Sequence, residues 1–251
     1  MSLRSSVVVL GLFAAMACAQ AAPPGAVPAP VTDASVQLPP VRYPELPRTG
    51  RTSKDFVPAG WAIERESRGD LTGDGRADQV LVLREQDPAK RIMRPLRPDE
   101  PMDSNPRMLV VLVAQDDGSF ALGVANHTLI PRWTEPFDDD PLFDPEDVGI
   151  ANGALHVSLT LPAAGAEGRF SYTLRWQDGG LKLIGYDYEA AQRGPGDIDA
   201  LSVNYLSGRA KRSHGKLHGP QGKDVWTTIP AAPLLDIAQI GNGQQFEPRL
   251  R

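Results

Sequence analysis

Two-residue turn signals, set between apolar runs too short to be helices, limit what this chain can fold into more than any other feature. In "MLVVLVAQDDGSFALGV" Asp117 and Gly118 separate two such runs, and in "YTLRWQDGGLKLIGYDY" Asp178, Gly179 and Gly180 do the same. "ANGALHVSLTL" starts a strand after Asn152 and Gly153, and Ser207 with Gly208 makes the turn in "LSVNYLSGRAKRS". Asp-Gly and Asn-Gly tolerate the positive φ that tight hairpin turns need, so each pair is a hairpin signal with a mechanism behind it. Alternation agrees: Phe170, Tyr172, Leu174 and Trp176 share one face of "FSYTLRW", with Ser171, Thr173 and Arg175 on the other. The fold class that follows is mainly β, a meander of antiparallel hairpins in one domain with few short helices. Sandwich, barrel and partial-propeller closures all stay open, because hairpin signals set neighbours and not closure. "PLLDIAQIG" is a modest helix candidate, with Pro233 placed for a first turn and Gly241 for a stop.

The two ends of the chain differ in kind. Met1 to about Ala22 has the form of a secretory signal: Arg4, then "VVVLGLFAAMA", then small residues. The apolar stretch is far short of the roughly 20 residues that a spanning helix needs. Two processings fit it. Ala-x-Ala at Ala17–Ala19 or Ala19–Ala21 would release a soluble product, and a weak lipobox, "AMAC", would leave Cys18 as a lipidated first residue. The duplicated Ala-x-Ala favours the first. Either way the expected location is periplasmic or secreted, with no transmembrane segment in the mature chain. Residues 23–54 recur in proline and read as an extended tether. Residues 55–251 then have the length of one domain with its own core. That domain contains no cysteine, which excludes disulfides, thiolate chemistry and cysteine-ligated zinc. Without Arg4 the balance is 25 basic against 31 acidic residues, which gives no reason to expect a nucleic-acid partner.

The motif with the most chemistry is "GDLTGDGRADQVLVL", residues 69–83. Calcium takes six to eight oxygens, and short loops supply them from alternate side chains and one backbone carbonyl. Asp70, Thr72, Asp74 and Asp78 fall at loop positions one, three, five and nine. The carbonyl of Arg76 is at position seven, and Gly75 is at position six, where the chain must bend sharply. Position twelve is Leu81 in place of the bidentate glutamate of an EF-hand, and "QVLVLRE" reads as a strand, not a helix. The expected site is therefore a calcium loop opening into β-structure, with Asp78 closing it. Its expected role is structural, since the carboxylates are used as ligands.

The stretch Asp70-Leu-Thr-Gly-Asp-Gly-Arg-Ala-Asp78 resembles the calcium loops of FG-GAP and VCBS repeats, found in integrin-type β-propellers and many secreted bacterial proteins. Those loops usually read Asp-x-Asn-Gly-Asp-Gly-x-x-Asp, so Thr72 stands where a carboxamide or carboxylate is usual. The loop occurs once, whereas a propeller needs several blades, so the resemblance does not imply a complete propeller. "YTLRWQDGGLKLIGYDY" followed by "SVNYLSGR" is similar to a pattern in uncharacterised exported bacterial proteins that carry one such loop upstream. That likeness implies location and organisation and supplies no activity.

Other features carry less. "EPFDDDPLFDPEDVG" gathers Asp138, Asp139, Asp140, Asp144, Glu146 and Asp147 around Phe137 and Phe143. It reads first as a solvated acidic segment, then as a second cation site or a recognition loop. Ser213 and Lys216 match Ser-x-x-Lys without companion motifs, and His214 and His218 are separated by a glycine that argues against a helix. The plainer reading of that region is a basic hairpin tip with Lys211, Arg212, Lys216 and Lys223. His127 and His156 read as partly buried fillers, and Trp61, Trp133, Trp176 and Trp226 are scattered. No catalytic residue stands out. The expectation is an exported, calcium-stabilised β-domain of the cell envelope that binds a partner, an unknown envelope component or protein. The alternative is a hydrolase of envelope polymers using carboxylates, which needs a pair about 5 to 10 Å apart across a cleft.

Overall fold

The structure, a computed structural model, describes residues 38–250 except 163, 164, 195, 217, 218, 220 and 221. The signal segment and the start of the tether lie outside the described residues. In chain order the strands are β1 (Thr49–Gly50), β2 (Trp61–Gly69), β3 (Asp78–Glu85), β4 (Arg91–Arg94), β5 (Arg97–Asp103), β6 (Arg107–Ala114) and β7 (Phe120–Asn126). They are followed by β8 (Val148–Ala151), β9 (Ala154–Thr160), β10 (Ala166–Gln177), β11 (Gly180–Gln192), β12 (Asp197–Asn204), β13 (Arg209–Lys216) and β14 (Val225–Thr228). β8 to β14 pair in sequence order as a seven-stranded antiparallel meander. A five-stranded sheet runs β1-β7-β6-β3-β2, and β4 with β5 forms a separate hairpin between β3 and β6. The mainly-β expectation holds, with two open sheets and no closed barrel. Among the described residues no helix is long and apolar enough to cross a membrane.

The turns behave as their residues require. Asn152-Gly153 joins Ala151 to its partner Ala154, with φ of 52° and 67°, and Asp178-Gly179 joins Gln177 to Gly180, with φ of 52° and 76°. Positive φ at both central positions matches the twist of the flanking strands. Between these turns the meander turns one face inward: Leu155, Val157 and Leu159, then Phe170, Tyr172 and Leu174, then Leu181, Leu183 and Tyr186 are buried. The other sheet completes this core with Val80, Val82, Leu109 and Val111.

β3 and β6 are central strands buried on both faces, which explains their unbroken apolar runs. Leu81, Leu83, Met108, Val110 and Leu112 point away from the main core into a second cluster, covered by Phe56 with Leu46, Val57, Trp61, Ile63, Phe120 and Leu122. Leu46 and β1 belong to the stretch expected as tether, so the folded part begins ahead of Asp55. Leu122 N–H donates to Arg48 O (2.8 Å), Arg132 Nη1 donates to Pro39 O (2.8 Å), and the Tyr43 ring stacks on His127 at 4.2 Å. The apolar residues between the prolines supply this packing, and composition alone concealed it.

"PLLDIAQIG" forms no helix from Pro233. Leu183 N–H donates to Leu235 O (2.8 Å) and Lys182 bridges to Asp236, which holds residues 233–236 extended against β11. A single 3₁₀ turn, Ile237–Gln239, follows, capped by Asp236 and stopped at Gly241 (φ 74°). The two sheets also approach closely at Gly123 of β7, where a β-carbon would lie 2.8 Å from the Trp176 ring of β10, and 3.0 Å from Val113 of the neighbouring strand β6. Gly123→Ala is expected to cost about 1–3 kcal/mol through overpacking, seen as a lower denaturant midpoint at unchanged slope.

Candidate functional site

Residues 70–77 connect the β2–β3 hairpin, closed by the Gly69 and Asp78 pair. The connection is wound around two carboxylates. Asp70 Oδ1 accepts from the N–H groups of Gly73 (2.7 Å) and Asp74 (3.1 Å), and its Oδ2 from Gly75 (2.9 Å). Asp78 is wholly buried: Oδ2 accepts from Leu71 and Thr72 N–H, and Oδ1 from Ala114 N–H of β6, all at 2.9 Å. Gly73 and Gly75 take φ of 82° and 86°, which aims successive amides inward at little cost only because no β-carbon is present. The loop stands where the sheets meet. Ile150 N–H of β8 donates to Ser67 Oγ (3.0 Å), and a β-carbon at Gly69 would lie 2.8 Å from Ile150.

Asp74 is exposed. Its Oδ1 accepts Arg76 N–H (2.9 Å) and its Oδ2 meets the Arg76 guanidinium at 2.5 Å, while the other arm of Arg76 reaches Asp116 at 2.5 Å. The Arg76 amide, helped by the guanidinium charge, holds the Asp74 carboxyl below its usual range. Thr72 Oγ1 is buried without a hydrogen bond of proper geometry, although it is near enough to Asp74 to help hold that carboxyl down. Of the five expected ligands, Asp70, Thr72 and Asp74 share the outer turn, and Asp78 is its buried hub. A carboxylate offers about four lone-pair positions, so Asp70 and Asp78 each keep capacity after three backbone bonds. Three carboxylates against one guanidinium, with an unbonded hydroxyl beside Asp74, fit a hard cation by donor chemistry. Among the described residues no three acidic or histidine side chains form a ready-made cage, and a cation must draw Asp74 away from Arg76.

A second constellation lies on β2, β3 and β6. Arg107 is buried and grips Glu64 through Nε (2.7 Å) and Nη2 (2.8 Å), and Asp140 through Nη1 and Nη2 (2.8 Å each). Arg84 joins it, 2.9 Å from Glu64 and within 3.7 Å of Asp140 and Asp103. Burial pushes the Glu64 carboxyl up, but the bonds and charges of Arg107 and Arg84 outweigh it and hold the group below its usual range. A general acid needs the opposite shift. Burial also works against the Arg107 cation, and the bonds from Glu64 and Asp140 more than offset it. Glu64 therefore serves as a counter-charge to the two arginines, and the direction of its shift is the reverse of what a general acid needs.

The clamp extends along the acidic segment, correcting its reading as a solvated loop. Arg94 donates to Pro136 O (2.7 Å) and Asp138 O (2.9 Å), and Arg65 donates to Leu142 O (3.0 Å) and Asp144 O. Arg169 pairs with Asp144 (2.9 Å), and Asp147 caps the turn at Asp144 N–H (2.7 Å). Burial pushes the Asp147 carboxyl up. Phe137 and Phe143 nevertheless face solvent, 57% and 71% exposed.

The basic stretch is also paired. Lys211 meets Asp224 (3.7 Å), Arg212 and His214 meet Asp199 (3.8 and 3.2 Å), and Lys216 meets Asp197 (3.5 Å). Lys211, Arg212 and Lys216 therefore lie along β13 and not at a tip, while exposed Lys223 lies in the connection to β14. Ser213 donates to Asp224 (2.6 Å), and in the strand its side chain and that of Lys216 point to opposite faces. His218 lies outside the described residues. His156 meets Thr173 Oγ1 (3.4 Å), while burial lowers the pKa of His127. Sequence reasoning passed over Glu64, Arg84 and Arg107; the one local signal was an arginine opening the apolar run "RMLVVLV". No protein-family model, curated protein or solved structure matches the chain.

Proposed function

We propose that this chain is an exported, calcium-stabilised β-domain of the bacterial cell envelope that works by binding a partner. The observation that carries the binding role is a fixed apolar display. Met93 and Leu96 on the β4–β5 hairpin are 72% and 79% exposed, and Phe137 and Phe143 stand on the neighbouring acidic segment. Arg94 and the Arg97–Asp139 pair (3.7 Å) tie hairpin and segment together. Apolar side chains on backbone already held by buried arginines need little further ordering when a partner docks, which favours tight binding per unit of contact. Exposed Arg97 pairs with both Glu100 and Asp139 (3.7 Å each), so the charges beside the display are balanced and the partner it suits is one that offers apolar pockets.

Calcium enters through the loop at Asp70, Thr72, Asp74, Arg76 and Asp78. Its support is the buried, unbonded Thr72 hydroxyl, the excess of carboxylates, and the likeness to FG-GAP and VCBS loops. Export is supported by the N-terminal segment. The binding role is tested by capture from a bacterial envelope fraction, comparing the native chain with a Leu96→Ser/Phe137→Ser variant. Both side chains are exposed, so the variant is expected to fold unchanged and to lose the captured species. Retention of the same species by the variant contradicts the assignment of this face.

A further inference from the structure

We propose that a cavity at the end of the meander, between β11 and residues 229–235, binds a small amphiphilic carboxylate, with its apolar body inside and its carboxylate at Tyr205 and Arg249. The cavity measures about 80 Å³ and is walled by Leu183, Ile229, Pro233, Leu234 and Leu235. That is room for several waters or for a short apolar chain, since one water needs about 10–15 Å³. The wall is built in place: Ile229 N–H donates to Gly208 O (2.9 Å) and Leu183 N–H to Leu235 O (2.8 Å), so residues 229–235 are strapped at both ends.

Two polar groups break the apolar lining, and neither has a partner of its own. The Tyr205 hydroxyl is buried and makes no hydrogen bond. Arg249 is exposed at the cavity and forms no ion pair among the described residues. Burial pushes the phenol up to about 12, with Arg249 as the opposing charge, so Tyr205 remains a neutral donor at ordinary pH. A buried hydroxyl without a partner is unfavourable, and a guanidinium beside it recruits an anionic acceptor. A carboxylate offers the acceptor that both groups call for. A neutral apolar molecule leaves Arg249 unused, and a bare anion leaves the apolar walls uncovered.

The test is calorimetric titration of the full chain with hexanoate, with acetate and 1-hexanol as controls. Hexanoate is expected to bind at least about tenfold more tightly than either control. Arg249→Gln, a surface change, is expected to weaken hexanoate about tenfold and leave 1-hexanol unchanged. Tyr205→Phe is expected to weaken hexanoate several-fold while holding or raising the unfolding midpoint, because it removes the unpaired hydroxyl. The proposal is overturned if hexanoate does not bind, if acetate or 1-hexanol binds as well as hexanoate, or if Arg249→Gln leaves hexanoate binding unchanged. The last three results mean, respectively, a surface anion contact, a purely apolar void and no role for the guanidinium.

Discussion

Arg107→Met is expected to lower stability by about 3 kcal/mol and to release the acidic segment. The side chain is 1% exposed and bonds both Glu64 and Asp140, so its removal strands two carboxylates that it neutralised. Breaking a buried pair typically costs 3–5 kcal/mol, and the lower end applies because Arg84 still reaches Glu64 and the two carboxylates keep about one-fifth of their exposure. Equilibrium denaturation gives the size of the loss, and limited proteolysis should show new cleavage within residues 135–144. A second change, Glu64→Gln, should recover part of the loss, since it removes one of the stranded charges.

The sign of the pH dependence follows from the same contacts. The folded-state pKa of Glu64 is depressed, so its contribution to stability is complete above the ordinary glutamate value and is lost as pH falls through the depressed one. Without Arg107, Glu64 loses the bonds and charge that lower its pKa most, while burial stays and Arg84 still opposes it, so its folded-state pKa rises relative to the native chain. The stability gap between native chain and variant should therefore narrow as pH falls below the usual carboxylate range.

Asp78→Asn is the second large effect, expected at about 2–4 kcal/mol despite a nearly identical shape. Asp78 accepts three backbone N–H groups at 2.9 Å, from Leu71, Thr72 and Ala114, on two different oxygens. An amide replaces one oxygen with a donor. Whichever way it turns, at least one buried N–H loses its acceptor, and the remaining bonds lose their charge. The loop and β6 are thereby uncoupled. Hydrogen exchange should speed up at Leu71, Thr72 and Ala114 before it changes at Leu155 or Tyr172. Equal acceleration everywhere would mean that Asp78 supports the fold at large and not the loop.

What could be read from the sequence was what is local. Asn152-Gly153 and Asp178-Gly179 each encode a turn within two residues, so both hairpins were legible. The unbroken apolar run of β3 also followed from a loop leading into a core strand. That residues 70–77 turn the chain into a core strand was legible for the same reason, being encoded within nine positions, but the bond from Asp78 to Ala114 was not, because it spans 36 residues. The Arg107 clamp joins residues 43 and 33 apart, and nothing near Glu64 or Asp140 marks the other as its neighbour. Local composition therefore made residues 135–147 look solvated, although Asp140 and four backbone carbonyls were destined for arginines on the sheet and the β4–β5 hairpin. Tyr43 and Leu46 were hidden similarly: prolines dominate their segment, and only the finished sheet offers them a surface. "PLLDIAQIG" carried a valid helix signal that pairing with β11 overrode.

Calcium at the β2–β3 loop is tested most directly by thermal unfolding of the full chain in 10 mM calcium and in excess chelator. For dissociation constants of about 10⁻⁴ to 10⁻³ M, typical of extracellular modules, saturation contributes roughly 1.4–2.7 kcal/mol, or about 3–10 °C in midpoint for a domain of this size. The expected result is a rise of that size in the native chain, absent from Asp74→Ala. An unchanged midpoint in the native chain, or an equal rise in Asp74→Ala, would contradict calcium binding at this loop.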